Sequence, residues 1–198
     1  MIGVLDYSAG NLKSVENALT RLNIPFFISA DPQKLETAEK ILFPGVGHAK
    51  SCMESLRKRK LDVFLQQTTK PVLAICVGMQ LLFDFSEEGN TQCLGILPGT
   101  VRRFDEKTVE IVPHIGWNTV SFVSGFPHLP QNEDFYFVHS YFCEPKEQEG
   151  ILATTTYHGE TFCSAIQKGN ITGVQFHPEK SGKAGEEFLK SLLLFEES

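Results

Sequence analysis

The chain has 198 residues and a formal net charge of −6. This acidic balance argues against the broad positive surface on which nucleic-acid binding and anionic-membrane binding depend. Hydrophobic residues make up 41% of the sequence and charged residues 21%, which predicts one globular domain over residues 1–198. The basic run Arg57 to Lys60 is interpreted as a solvated helix face rather than a binding patch.

Cysteine usage and the N-terminal residues predict a cytosolic protein. The five cysteines show neither a CxxC pair nor metal-finger spacing, so we expect no disulfide framework, no metal and no cofactor. The apolar start Met1 to Leu5 becomes polar at Asp6 without a basic segment before it. No apolar run approaches the roughly 18 residues of a membrane span. The thiols are therefore expected in a reducing compartment.

The first half of the chain alternates short apolar runs with helical patterns. Residues 2–5 and 24–28 have strand character, and between them Asn11 is a candidate cap of a helix with apolar residues at helical spacing. Further strands are expected at residues 40–43 and 71–75, each followed by a segment able to form a helix. This alternation predicts a parallel sheet covered by helices.

The second half is richer in strands, with turns at Gly, Pro and acidic residues. Strands are expected at residues 100–104, 117–123, 135–143, 150–157, 161–167 and 171–176. They predict mixed or antiparallel additions to the sheet, and a final amphipathic helix is expected at residues 182–195. The predicted fold class is α/β, a single domain with a central mixed, mostly parallel sheet flanked by helices.

Residues 71–83 combine an apolar strand, a sharp turn at Cys76 and a helical continuation. Such a turn needs small residues two positions either side of the nucleophile, and Ala74 and Gly78 fill those places. A helix N-terminus favours the reactive thiolate, and the N–H of Val77 would face a developing oxyanion. The alternative is that Cys76 is a small buried hydrophobic residue.

A second candidate segment ends in His177-Pro178-Glu179. A cysteine nucleophile needs an imidazole that takes and returns a proton, and a carboxylate on the other ring nitrogen fixes the tautomer. In an extended segment, side chains two positions apart point the same way. The alternatives are a surface turn with a His–Glu contact, or a metal site that lacks further ligands at familiar spacing.

The glycine-rich segment Pro44 to Gly47 follows the strand at residues 40–43. Glycines permit positive φ and close approach of a substrate to the backbone, so this loop is a candidate for a second oxyanion donor. A plain turn is the alternative.

These motifs, in this order, resemble the triad, or class I, glutamine amidotransferases, which have a flavodoxin-like fold. Within them the chain is similar to the glutaminase subunits of imidazole glycerol phosphate synthases. The resemblance runs nearly from end to end. The matching segments are residues 6–15, 44–47, 76–80, 114–118, 136–141 and 173–181.

The resemblance implies a role for each matching position. The catalytic residues are Cys76 as nucleophile, His177 as general base and acid, and Glu179 as the orienting carboxylate. Glutamine is held by neighbouring residues, Gly47, Gln80, Ser140 and Tyr141. The oxyanion hole consists of the backbone amides of Val46 and Val77. The positions that face a synthase subunit are Asn11, Trp117, Tyr136 and Lys180. For Trp117 and Tyr136 the alternative is a core aromatic, and for Lys180 a solvated charge.

Three positions depart from the family pattern without removing a reacting atom. Ser8 stands where the family usually has Gly, Ala74 often replaces Gly before the turn, and Val77 replaces a common Leu. Ser8 is expected to alter a loop near the partner. The β-branched Val77 is expected to affect how easily the backbone of the oxyanion hole reaches its active geometry.

The glutaminase domain uses all 198 residues, so a separate partner is expected to hold the ammonia acceptor. The resemblance implies a cyclase subunit with a HisF-like (β/α)8 barrel, and a nucleotide acceptor that yields imidazole glycerol phosphate and an aminoimidazole carboxamide by-product. One alternative is a paralogous glutaminase that serves another synthase, such as one that amidinates a sugar. Another is a catalytically silent interaction subunit.

Overall fold

The structure is a computed structural model that describes residues 1–8, 12–123 and 132–194. The predicted helix cap Asn11 and the predicted last helical residue Phe195 lie outside the described residues.

The first half of the described chain alternates strands and helices, as its sequence pattern predicts. The strands are β1 (Ile2–Leu5), β2 (Phe26–Ser29), β3 (Lys40–Phe43) and β4 (Val72–Ile75). The helices are α1 (Leu12–Arg21), α2 (Pro32–Leu35), α3 (Ala49–Lys58), α4 (Leu61–Gln67) and α5 (Val77–Leu81). Strands β1 and β4 are buried along their whole length, because helices cover both faces of a parallel sheet.

The second half of the chain, over its described residues, adds nine strands and a closing helix. The strands are β5 (Phe85–Ser86), β6 (Thr91–Gln92), β7 (Gly99–Arg103), β8 (His114–Phe122), β9 (Asn132–His139), β10 (Tyr141–Pro145), β11 (Ile151–Tyr157), β12 (Glu160–Lys168) and β13 (Ile171–Val174). A 3-10 turn (Pro178–Lys180) precedes helix α6 (Gly182–Leu194). The single strand predicted at residues 135–143 is two strands that separate at Ser140, because β9 pairs with β8 whereas β10 pairs with β7 and β12.

All thirteen strands of the described chain belong to one mixed sheet. Its main path runs β2-β1-β3-β4-β13-β12-β10-β7-β5-β6, and β11, β8 and β9 branch from β12. Neighbouring strands are parallel from β2 to β13, and antiparallel pairing begins between β13 and β12. The α/β fold with a mixed, helix-flanked sheet is therefore confirmed.

One hydrophobic core runs through both halves of the sheet. Phenylalanine rings fill much of it under helix α6, where Phe135 and Phe176 have ring centroids 4.2 Å apart and Phe188 lies 5.2 Å from Phe176. Close ring contacts of this kind contribute beyond the area they bury. None of the helices in the described ranges is long and apolar enough to span a membrane.

Candidate active site

The predicted sharp turn is present at Cys76. Strand β4 ends at Ile75, helix α5 begins at Val77, and Cys76 between them has φ 54° and ψ −112°. A residue with a Cβ adopts a positive φ only at a cost, which the surrounding structure must offset. This conformation turns the chain sharply at the carboxyl end of the strand, where Cys76 lines a pocket.

Two glycines allow this turn to pack against the neighbouring loop. A Cβ on Gly78 would lie 2.3 Å from the carbonyl oxygen of Phe43, and one on Gly45 would lie 2.4 Å from the backbone nitrogen of Gly78. Neither position has space for a side chain. The small residue expected at position 78 is therefore required by backbone contact, and Ala74 is fully buried on the preceding strand.

Strand register explains how His177 reaches Cys76 across 101 positions of sequence. Strands β13 and β4 are parallel neighbours with Val174 opposite Ile75, and the N–H of Cys76 donates to the Val174 carbonyl at 2.7 Å. The residues that follow the two strands therefore emerge side by side. Ligand and catalytic sites of parallel sheets form at this carboxyl edge.

His177 and Glu179 form a buried pair. His177 Nδ1 lies 2.8 Å from Glu179 Oε1, and the two side chains are 1% and 5% exposed. Burial acts to lower the pKa of His177, but the charge of nearby Cys76 and the hydrogen-bonded Glu179 carboxylate raise this pKa above its ordinary value. His177 Nε2 is buried without a hydrogen-bond partner among the described residues.

The pocket at Cys76, here called the carboxyl-end pocket, has a volume of about 310 Å³. Its lining includes seven of the predicted site residues: Val46, Gly47, Cys76, Val77, Gln80, Ser140 and Tyr141. His177 and Glu179 are not part of this lining. The predicted nucleophile, glutamine contacts and oxyanion segment therefore share one cavity, and the predicted base and its carboxylate are buried.

Four further residues line the carboxyl-end pocket that the sequence reasoning did not single out. They are Glu88, Pro113, Val138 and His139. Glu88 Oε2 accepts a hydrogen bond from the Ala49 N–H at 2.6 Å, which holds this carboxylate in place at the N-terminus of α3. The two consecutive glutamates soon after α5 were a possible signal, but nothing local showed which of them faces the pocket.

A chain of buried amides connects Cys76 to the pocket wall. Gln175 Nε2 donates to Cys76 Sγ at 3.6 Å, and Gln80 Nε2 donates to Gln175 Oε1 at 2.9 Å. Gln80 Nε2 also donates to the Tyr141 carbonyl at 2.9 Å. The sequence reasoning did not single out Gln175, although a glutamine just after an otherwise apolar strand was a usable signal.

Two buried histidines continue this chain toward the surface. His139 Nδ1 lies 2.8 Å from the Tyr141 carbonyl oxygen, and His139 Nε2 lies 2.9 Å from His114 Nδ1. Burial lowers the pKa of His139 to about 3 and that of His114 to about 4. Both rings are therefore neutral at neutral pH. His114 Nε2 is 3.3 Å from Asn118 Nδ2 on strand β8.

In the predicted oxyanion segment, one backbone amide is not free to bind an oxyanion. The Val77 N–H donates to the Gly45 carbonyl at 3.3 Å, so this amide already has an acceptor within the protein. Gly47, two residues further along, has φ 112°, which favours glycine.

Three of the four predicted partner-facing residues lie together on the surface. Trp117 is 57% exposed, and its ring lies edge-on to Tyr136 with centroids 6.2 Å apart. Lys180 Nζ stands 5.8 Å from the centroid of the Tyr136 ring. The core interpretation of Trp117 is thereby excluded. The fourth residue, Asn11, lies outside the described residues.

A cavity larger than the carboxyl-end pocket lies at the opposite edge of the sheet. This amino-end cleft, of about 400 Å³, is lined by residues at the starts of β3, β4 and β13, among them Lys40, Pro71, Gly169 and Asn170. Its polar groups bind the protein itself: Lys40 Nζ donates to the Leu192 carbonyl, and Asn170 Nδ2 donates to two carbonyls. The cleft is larger, but Cys76 lies in the smaller pocket.

Comparison with known sequences identifies relatives over nearly the whole chain. The imidazole glycerol phosphate synthase subunit HisH of Bacteroides fragilis (strain YCH46) is 44% identical over 97% of this chain and 98% of its own length. The HisH subunit of Chlorobaculum tepidum is 43% identical over 98% of this chain and 100% of its own length. That of Acinetobacter baylyi is 44% identical over 97% of both chains.

Solved structures show the same fold at low identity. A glutamine amidotransferase crystal structure superimposes with a TM-score of 0.75 over 98% of this chain and 97% of its own, at 18% identity. The structure of PurLQS from Thermotoga maritima gives a TM-score of 0.73 over 98% of this chain and 97% of that one, at 16% identity. The family model of class-I glutamine amidotransferases matches residues 4–194. The chain therefore belongs to the class-I glutamine amidotransferases, and within them to the family of the HisH subunits.

Proposed function

We propose that this chain hydrolyses L-glutamine to glutamate and ammonia as the glutaminase subunit of an imidazole glycerol phosphate synthase. The observation that carries the proposal is the arrangement around Cys76. A cysteine in a strained turn lines a pocket, and it adjoins an imidazole whose Nδ1 lies 2.8 Å from a carboxylate oxygen. Such an arrangement activates a thiol for attack on an amide.

The reaction divides into two steps at Cys76. The thiol of Cys76 passes its proton to His177, and the resulting thiolate attacks the side-chain amide carbon of glutamine; His177 then protonates the departing ammonia. Water next attacks the glutamyl thioester; His177 takes its proton and returns it to the sulfur as glutamate leaves. Glu179 keeps the imidazole in the orientation that both transfers need.

The lining of the carboxyl-end pocket has the chemistry that free glutamine requires. Glu88 supplies a carboxylate that is complementary to the α-ammonium group of the substrate. Gln80 uses its amide N–H groups for Tyr141 and Gln175, which leaves its Oε1 as the atom for the substrate. Gly47, Ser140 and Tyr141 complete the proposed substrate contacts.

The oxyanion hole is proposed to consist of the Val46 and Val77 amides. Since the Val77 N–H donates to Gly45, binding of an oxyanion there requires that hydrogen bond to break. We therefore expect low glutaminase activity from the isolated chain and higher activity with the partner. The proposed partner is a HisF-like (β/α)8-barrel cyclase in the cytoplasm, which uses the ammonia to form imidazole glycerol phosphate and the aminoimidazole carboxamide nucleotide.

The test of hydrolysis is glutamate release by the complex of this chain with the cyclase. Cys76→Ala should abolish release, whereas the matched Cys93→Ala should retain it, because Cys93 is also buried but donates to Thr91 away from the pocket. Glutamine turnover by Cys76→Ala would refute the assignment of the nucleophile.

The test of the partner is binding and stimulation. The cyclase with its nucleotide ligand should bind the chain and raise glutamate release. Trp117→Ala should weaken binding by about thirtyfold, because exposed aromatics are frequent interface hot spots. Val63→Ala, which removes a side chain that is also exposed, on α4, is the control. A cyclase that leaves glutamate release unchanged would favour another synthase as the partner.

A further inference from the structure

We propose that Gln175 stabilises the thiolate of Cys76 by donating a hydrogen bond from its side-chain amide to the sulfur. This inference rests on the proposed glutaminase function and assigns a role in it to a residue outside the triad. The contact is the 3.6 Å approach of Gln175 Nε2 to Cys76 Sγ. A hydrogen bond to the charged form of a group favours that form.

The position of Gln175 follows from the sheet. Val174 is opposite Ile75 in the parallel β13–β4 pair, so the next residues on the two strands, Gln175 and Cys76, are neighbours. The Gln175 N–H donates to the Ser164 carbonyl at 2.9 Å, which ties its backbone to strand β12. Gln175 is 0% exposed. Its side chain is therefore placed at the sulfur by the register of three strands.

The Tyr141 carbonyl determines which end of the Gln175 amide faces the sulfur. A carbonyl oxygen can only accept, so the Gln80 atom 2.9 Å away must be its amide nitrogen. The same nitrogen lies 2.9 Å from the Gln175 side chain, whose facing atom must then be the acceptor Oε1. The Gln175 NH2 group is left to face Cys76. Gln80 thus orients Gln175 as a donor.

The thiolate gains little stabilisation from several neighbouring side chains. The charge of Cys76 affects the pKa of Tyr7, Cys52, Cys143 and His177. Burial raises the pKa of Tyr7 and Cys143 well above ordinary values and that of Cys52 to about 11, so these three are neutral. The Val77 N–H is bonded to Gly45, and α5 has five residues. Of these groups, the imidazolium of His177 is left to stabilise the thiolate, together with the amide of Gln175.

The test compares Gln175→Leu, which removes the donor at similar size, with wild type. The probe is iodoacetamide, which reacts with thiolates, and mass spectrometry of the Cys76 peptide measures its alkylation rate from pH 5 to 10. We expect the pH of half-maximal alkylation to rise by about one unit and kcat for glutamate release by the complex to fall about tenfold, with KM within about twofold. Gln66→Leu is the control, since Gln66 lies on α4 and its Nε2 donates to the Leu94 carbonyl away from Cys76.

A second variant distinguishes the loss of the hydrogen-bond donor from a structural effect of replacing Gln175. Gln175→Glu keeps the size and the acceptor for Gln80 but places a carboxylate at the sulfur, so it should raise the alkylation midpoint further than Gln175→Leu. If neither variant shifts the midpoint relative to Gln66→Leu, the proposal is overturned, and a changed KM or urea midpoint would then indicate a purely structural role. Should Gln175→Leu fail to fold, Gln175→Glu alone decides. The alkylation readout needs no glutamine, so failure of the proposed function, seen as absent glutamate release by wild type, remains distinguishable.

Discussion

The two edges of the parallel sheet differ in what their polar groups bind. At the amino ends of the strands, Lys40 and Asn170 bind protein carbonyls around the larger cleft. At the carboxyl ends, the smaller pocket holds Cys76 beside His177, whose Nε2 has no partner in the described chain. The proposed active site is therefore not in the larger cavity. The proposal rests instead on the strained strand-to-helix turn and on an unsatisfied nitrogen.

The largest predicted effect is a difference in kcat between a variant at the carboxyl edge of the sheet and a variant at the amino edge. His177→Asn removes the proposed acid and base, and we expect kcat for glutamate release by the complex to fall about a thousandfold. Lys40→Met, in the amino-end cleft, should leave kcat within about twofold. Steady-state glutamate assays on both variants test this contrast. A large loss in Lys40→Met would show that the two edges are coupled.

Low pH should destabilise the protein through the buried pair His114 and His139. Burial lowers the pKa of His139 to about 3 and of His114 to about 4, below the ordinary 6.5, so the unfolded chain binds these protons first. Their contribution is present above pH 6.5 and is lost as the pH falls toward 4. We expect the free energy of unfolding to drop by about 3 kcal/mol between pH 7 and pH 5, measured by urea denaturation.

The control for the acid effect is the double variant His114→Gln with His139→Gln. It should be less stable at pH 7 but lose much less stability on acidification. The raised pKa of His177 acts with the opposite sign: its contribution to stability is fully present below the unfolded value of 6.5 and is lost as the pH rises, so it offsets only a small part of the decrease in this window. An unchanged pH slope in the double variant would contradict the assignment to this pair.

Adding a side chain to a glycine should cost more stability at the carboxyl edge of the sheet than at the amino edge. Gly78→Ala places a Cβ within 2.3 Å of the Phe43 carbonyl oxygen, and we expect a loss of about 3 kcal/mol in the free energy of unfolding. Gly169→Ala, in the amino-end cleft, meets no atom within 4 Å and bears only the strain of φ 57°, about 1 kcal/mol. Urea denaturation of the two variants gives the difference. Equal losses would mean that the turn at Cys76 adapts.

The smallest effect should come from the polar groups of the amino-end cleft. Asn170→Ala removes hydrogen bonds of 3.0 and 2.6 Å to the Thr68 and Lys70 carbonyls. We expect a loss of about 1 kcal/mol in the free energy of unfolding and no change in kcat. Denaturation and glutamate release, measured on the same preparation, test both statements. A fall in kcat without a fall in stability would give this cleft a role in the reaction.

The sequence predicted what depends on local spacing. The turn at Cys76 requires small residues at nearby positions, and Ala74 and Gly78 supplied them within five residues. Ser8, noted as a departure from Gly, has φ 61°, which explains the usual glycine, and its hydroxyl binds Arg59 Nη2 at 2.6 Å. The prediction of a solvated helix face for residues 57–60 is therefore wrong for Arg59, whose side chain binds Ser8.

The sequence did not predict what depends on pairing between distant strands. Residues 135–143 have continuous strand character, so the separation at Ser140 became visible only in the different partners of β9 and β10. The contact of Gln175 with Cys76 likewise depends on the β13–β4 register. The pairing of His114 with His139 depends on their opposition across β8 and β9. Alternation along one strand carries no information about such partners.

The Tyr141 carbonyl also has an electrical consequence. Hydrogen bonds reach its oxygen from Gln80 on one side and from His139 on the other, and a carbonyl has no proton to hand on. The chain of hydrogen bonds between Cys76 and Asn118 therefore cannot conduct protons. Protons gained at the surface end therefore cannot reach the sulfur along these contacts.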